Sequence, residues 1–491
     1  MLIEILSILS IFWGGYFLIR TTTLRGWSLI PVGFISGTNL LIMIGGINAI
    51  SGLKTNPIIM HTLTLGIPFT IWLFLIFRGK NIKINWFQLI TASIIFSGLV
   101  IFFRQANLVK WSPDTFRYMM IGNLFANGNF EAVTSSLLTT RLLSISLINA
   151  SANLQGEYYL PSILPLLALS LGLLLIWYLF NGIEKPLKKI HLWTLLLLSI
   201  LLLFSNNRFI YNTFYINGHL LFAIALLILC GNNWLYFRNT EIPKNTLLIM
   251  QLLAIGAIIL TRPDGSILAS IAILPMIFSH QFSLFYKKAI LLSLGASVLI
   301  WQGFLVWVHI KQGNEVSISV SGLLVLGILS VISAFLIKYV PFGHRSKYFT
   351  WFSEFAIWLV LLAFTIIKPN VLVQSFEATR KNIIGGAGGW GSSIAILAIL
   401  VILSLLITHS PGQVFLRFSI TTFLPISFIL AYLREGAYRI GLGDSLNRSF
   451  LHIVPLAILI IVANIGTGQW KFDAFFKNVV KVMKKNEKLQ S

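Results

Sequence analysis

The chain has 491 residues, of which 57% are hydrophobic and only 10% charged, against about 25% charged in an average soluble domain. No water-soluble core could absorb so much apolar side chain, and a mean hydropathy of +0.87 requires lipid as the solvent for most of the length. A net charge of +22 would suggest nucleic acid in a soluble protein; in a membrane protein, cationic loops set orientation and meet anionic lipid, so no nucleic-acid partner is expected.

The apolar runs are continuous, not alternating, which excludes a transmembrane β-barrel. A helical span needs about 20 mostly apolar residues. Such runs lie at 2–19, 27–50, 57–77, 86–103, 160–181, 190–204, 209–231, 246–261, 265–279, 289–309, 316–338, 350–367, 393–409, 414–433 and 449–466. The expected fold is therefore all-α, a polytopic transmembrane helical bundle of about 13 to 15 spans over residues 1–468. A basic amphipathic tail at 469–491 follows. The first run has no basic segment before it and no small-residue cleavage site, so it reads as a retained span, not a signal peptide. The single cysteine, Cys230, makes neither an intrachain disulfide nor a Cys-based metal site.

Orientation follows from the asymmetry of Lys and Arg. With these spans, 22 of the 36 cationic residues fall on the side that holds the C-terminal tail and 14 on the other. The N-terminus is expected outside and the C-terminus in the cytoplasm. Nine of the fourteen acids, Glu4 among them, map to the outer side. Acids contribute little to topology, so that bias is independent and marks the outer face as the one carrying chemistry.

The longest interval without a span is the outer loop 104–157. Ser112-Pro113-Asp114 suits a helix start: a hydroxyl cap, proline at the first helical position and an acid in the first turn. The same placement would hold a carboxylate rigidly at the bilayer rim, a good setting for a general base. Phe116, Met119, Met120, Leu124 and Phe125 recur at helical spacing as far as Asn127-Gly128. A second helix, 131–148, is expected in the interface plane. Asn206-Asn207-Arg208 then makes a short outer turn, and the run after it holds Tyr211, Asn212, Asn217 and His219; polar groups at that depth face a cavity or a partner helix.

Three further outer stretches carry polar residues. Thr261-Arg262-Pro263-Asp264-Gly265 joins two short apolar runs, either as a solvated turn or as one recessed below the surface. Residues 368–393 hold Glu377, Arg380 and Lys381 ahead of Gly385-Gly386-Ala387-Gly388-Gly389-Trp390-Gly391. No Lys-Ser/Thr follows those glycines, so they form no Walker loop; they read as a flexible connector or a mobile lid. In the last loop Asp444, Arg448 and His452 are spaced four apart, so on one helix they share a face that runs into the membrane.

At these residues the sequence resembles the GT-C superfamily, membrane glycosyltransferases that take a sugar from a polyprenyl-phosphate carrier on the outer face. The matching pieces are Ser-Pro-Asp114 in a large outer loop with juxtamembrane helices, the Arg262-Pro-Asp-Gly turn, and Gly-Asp444-Ser-Leu-Asn-Arg448 running into His452 and Pro455. The layout matches over most of the chain. Asp114 follows about four spans, whereas the family's acidic loop usually follows the first. No Asp-X-Asp or Glu-X-Asp pair is present, so no metal or other cofactor is expected. The resemblance implies an inverting transfer to an acceptor hydroxyl on a glycan, lipid or protein. Asp114 would be the base, and Arg262, Arg448 and His452 would bind the donor phosphate. Asp444 would orient Arg448, with Asp264, Arg208, His219, Glu377 and Arg380 in support. A lipid-linked glycan flippase or transporter, or a polysaccharide polymerase, is the rival reading.

Overall fold

A computed structural model describes residues 1–52, 56–128, 143–152, 159–183, 189–315, 318–340, 346–433, 436–467 and 469–470. These form helices α1 (Leu2–Arg20), α2 (Leu29–Ile50), α3 (Pro57–Phe77), α4 (Trp86–Ala106), α5 (Pro113–Ala126), α6 (Leu143–Ala152), α7 (Ile163–Gly182), α8 (Lys189–Phe204), α9 (Asn207–Phe214) and α10 (His219–Phe237). They continue with α11 (Lys244–Thr261), α12 (Pro263–Phe278), α13 (Leu284–Lys311), α14 (Ile318–Leu336), α15 (Ser346–Ile367), α16 (Pro369–Ile383), α17 (Ser393–Ile407), α18 (Val414–Leu433), α19 (Ser445–Ser449) and α20 (Val454–Thr467). Thr408–His409 and Gln469–Trp470 pair as two-residue antiparallel strands.

Twelve of the helical segments are long and apolar enough to cross a membrane, and α8 with α9, bent by 68°, makes a thirteenth if counted as one span. α6, α12 and α17 are apolar but shorter. The protein is thus a polytopic helical bundle. Its centre is α10, buried at every residue from His219 to Tyr236 and packed on by α7, α11, α12, α18 and α20. Close packing there and elsewhere depends on small residues, as expected where lipid supplies no hydrophobic drive between helices. α1 and α2 meet at Gly15, Gly33 and Gly37, where a Cβ on Gly15 would overlap the Gly33 carbonyl.

Hydrogen bonds tie the helix ends into two layers. At one end, the buried Glu4 of α1 accepts from Arg104 of α4 at 2.8 Å and from the Ser162 hydroxyl before α7 at 2.6 Å. Lys110 and Tyr215 form a backbone bridge at this same end. At the other end, Arg20 of α1 donates to the Lys83 and Leu24 carbonyls, Gln88 to Gly26, and Thr22 meets Thr246. The first layer, called the site end below, holds Asp114 and the residues it meets.

One expectation is corrected and another is sharpened. The run 209–231 is not one span: Asn206 caps α9 by accepting from the Phe209 amide, and the Asn217 side chain accepts from the His219 amide to start α10 afresh. Tyr211 and Asn212 therefore lie on the short helix before the span. Where it is described, the second helix of the large loop is enclosed by other helices. Every residue of α6 is buried, and it packs against α2, α3, α5 and α11; its Leu and Ile side chains gain more from the bundle than from the headgroup layer. Residues 131–142 and the basic tail beyond Trp470 lie outside the described residues.

Candidate functional site

The site is built where several connections of the site end meet. The first begins at α5. Ser112 takes the extended conformation of an N-cap and accepts from the Thr115 amide, Pro113 fills the first helical position, and Asp114 sits in the first turn. Capping thus explains why the helix starts here, and it fixes where the carboxylate stands. Asp114 Oδ2 accepts from Arg448 Nη1 at 2.9 Å, with about a fifth of each side chain exposed.

Arg448 comes from the last connection. Asp444 caps α19 by accepting from the Asn447 amide at 2.8 Å, and it also accepts from the Arg439 amide at 2.9 Å. Its carboxylate is thus spent on backbone donors, and the orientation of Arg448 is set by Asp114, not by Asp444. The Nε of Arg448 is buried with no hydrogen-bond partner, which leaves a donor at the rim beside the carboxylate.

Tyr215, between α9 and α10, closes the near side. Its hydroxyl accepts from Ser112 Oγ at 2.9 Å. Burial pushes the phenol above its usual range, the Asp114 charge adds to that, and the Ser112 hydrogen bond and Arg448 oppose it. Tyr215 is therefore a neutral hydroxyl next to the ion pair at any physiological pH.

Arg208 supplies the second cation. Its Nε donates to the Gly388 carbonyl at 2.6 Å and its Nη2 to the Leu442 carbonyl at 3.1 Å, while the guanidinium lies 5.6 Å from the Tyr211 ring centre. Arg208 thereby clamps the glycine-rich stretch to the last loop. That stretch is tied to its neighbours by side-chain hydrogen bonds. Trp390 is fully buried and donates to Asn447 Oδ1 at 2.7 Å, and Asn447 returns a bond to the Gly388 carbonyl at 3.0 Å. The glycines are required by space and by backbone: Gly389 has φ +71°, and a Cβ there would press on Leu442 and Arg208.

Below the ion pair, His219 Nδ1 and His452 Nε2 lie 3.0 Å apart, and the Phe222 ring stacks on His452 at 4.1 Å between centres. His452 Nδ1 is buried without a partner. Arg208, Arg262 and Arg448 are all near enough to act electrostatically on His219. Arg262, at the α11–α12 junction, approaches Asp264 at 2.7 Å, and both are largely covered. That contact is an ion pair without hydrogen-bond alignment, since Asp264 Oδ1 has no hydrogen-bond partner. The turn is recessed, not solvated.

Two expected residues stand apart. Glu377 bonds Arg380 at 2.9–3.0 Å and Lys381 at 3.3 Å on the exposed face of α16. Arg380 and then Lys381 hold its carboxyl down at about 2. The helix contributes through its other face, where Ser375 accepts from the Tyr438 amide and Asn382 bonds Arg439 and Gly441. Sequence reasoning passed over Tyr215, Asn447 and Trp390; nothing in their neighbours distinguishes them from membrane-rim residues. Among the described residues, no group of three or more His, Cys, Asp or Glu side chains gathers as metal ligands would.

The arrangement offers one carboxylate, Asp114, paired with Arg448, and a buried pair of imidazoles on which Arg448, Arg262 and Arg208 all act electrostatically. Compared with family models, curated proteins and solved structures, the chain matches none.

Proposed function

We propose that this protein is an inverting membrane glycosyltransferase that moves a sugar from a polyprenyl-phosphate carrier to an acceptor hydroxyl. The observation that carries the reading is the 2.9 Å contact between Asp114 and Arg448, at the rim of an apolar bundle. A donor whose tail dissolves in lipid and whose phosphate sits at the headgroup level brings its reacting bond to that depth. Arginine suits bidentate contact with phosphate.

A phosphate approaching Arg448 competes with Asp114 for the guanidinium and frees the carboxylate. Asp114 then takes the proton of the acceptor hydroxyl as its oxygen attacks the anomeric carbon. The carbon–oxygen bond to phosphate breaks, and its electron pair leaves with polyprenyl phosphate. Arg448 and Arg262 stabilise the charge that develops on the leaving group, and the His219–His452 pair donates to phosphate or sugar from below. Arg208 holds the loops that present Arg448. Attack in one step from the side opposite the phosphate inverts the anomeric centre.

We place the site end on the extracytoplasmic face of a plasma membrane, as in prokaryotes, with the C-terminus in the cytoplasm. The spans expected from the sequence put 22 of the 36 Lys and Arg on the side opposite Asp114. The reading is tested by reconstitution with polyprenyl-phosphate-linked sugar. Release of polyprenyl phosphate that stops in Asp114→Asn supports it; movement of intact carrier between leaflets, with no release, refutes it.

A further inference from the structure

A cavity lies at the site end, between the α8–α9 elbow and the start of α17. Its volume is about 430 Å³, within the range of roughly 300–1,000 Å³ typical of small-molecule sites. Its rim is polar and uncharged: Ser205, Asn207, Ser392 and Ser393. Its floor is apolar, from Leu202, Ile396 and Leu397. None of the described residues that line it carries a charge. Ser392 lines the cavity, and its hydroxyl makes no capping bond to α17.

We propose that this cavity binds a neutral sugar unit of the acceptor. Hydroxyls and a carboxamide donate and accept alike, which matches the hydroxyl groups of a saccharide, while the aliphatic floor matches its C–H faces. An anionic ligand would find no cation here. The cavity is also a direct neighbour of the ion-pair site. One strap of chain separates the two: a Cβ on Gly389 would lie 3.4 Å from Arg208 Nε, and one on Gly391 would lie 3.5 Å from Asn207 Nδ2. Arg208 and Asn207 are consecutive, so a glycan seated on Asn207 ends one residue from the cation that organises the reacting site. That the sugar belongs to an acceptor rests on the transferase reading; that the cavity takes a neutral saccharide does not.

The test is saturation-transfer NMR on the purified full chain in detergent. The probes are glucose, galactose, mannose and N-acetylglucosamine, with glucuronate and glucose 1-phosphate as charged comparators. At least one neutral sugar is expected to saturate. Ser392→Trp, which fills the cavity, should abolish that signal, and Asn207→Ala, which removes a hydrogen-bonding side chain, should weaken binding about fivefold. If Ser392→Trp fails to fold, Asn207→Ala decides. Asp114→Asn should retain the signal while losing transfer; sugar binding by a parent chain that itself releases no polyprenyl phosphate would overturn the transferase reading and leave the cavity assignment standing. Saturation of no neutral sugar, of the charged comparators alone, or of a neutral sugar equally in both cavity variants overturns the assignment.

Discussion

Asp114 Oδ2 and Arg448 Nη1 meet at 2.9 Å although 334 residues separate them in the chain. Each is delivered by a capped helix start, α5 and α19. The pair links the large loop to the last one, and each member keeps about a fifth of its side chain in contact with solvent. Its strength should therefore be modest and its chemical role larger. A double-mutant cycle of Asp114→Asn and Arg448→Gln, followed by thermal unfolding in detergent, is expected to give a coupling of about 1 kcal/mol. In the transferase assay, each single variant should lose about a hundredfold or more. Arg448→Lys should not restore activity, because an ammonium cannot reproduce the fork.

Arg208 is predicted to be a positioning residue. Arg208→Ala leaves the Leu442 carbonyl without its donor and the Gly388 carbonyl with Asn447 alone, and unclamps the strap, for a loss of roughly 2–3 kcal/mol. Hydrogen exchange would show the change directly, as amides of 385–391 and 441–447 that are slow in the parent become fast. Equal exchange in both proteins would remove the clamp from the account.

Gly389→Ala is a sharper probe of the same strap. The left-handed backbone costs an alanine about 1 kcal/mol, and contact with Leu442 and Arg208 adds to that. The expected phenotype is a lower unfolding temperature. An alanine variant as stable as the parent would mean that the strap is not held where it is described.

Glu4 should be among the most sensitive acids. Its side chain is fully buried and bonded to Arg104 and Ser162. Glu4→Ala removes one partner of a buried pair and three helix ends lose their tie, for about 3 kcal/mol. Glu4→Gln keeps the Ser162 contacts and should cost less. The comparison is read from the two unfolding temperatures, and equal losses would refute the hydrogen-bonding role.

Glu377 supplies the contrast. Its folded carboxyl lies at about 2, below the ordinary 4.5, so whatever its pairs contribute is present above pH 4.5 and disappears as pH falls toward 2. The group is fully exposed, and Glu377→Gln should leave stability and transfer unchanged at pH 7. A clear loss of transfer would return Glu377 to the site.

Much of this protein is local and therefore legible in one dimension. Continuous apolar runs state the class, because a backbone in hydrocarbon must satisfy its own hydrogen bonds within a helix. Ser112-Pro113 announces the start of α5, and Asp444 the start of α19, because caps act within three residues. The sequence by itself therefore determined the bundle, the start of α5 and the short list of polar residues at one end, but not the break between α9 and α10. It could not decide which of them touch. The bond from Asp114 to Arg448, the two carbonyls held by Arg208, the stacking of His452 on Phe222 and the burial of Trp390 all depend on how distant helices pack. The same blindness made Asp444 look like a partner for Arg448, which shares its helix face, when its carboxylate is used up by the backbone amides of Arg439 and Asn447. Contacts between residues hundreds apart carry no local periodicity. Only the tertiary structure, by packing the helix ends side by side, turned a list of rim residues into one site.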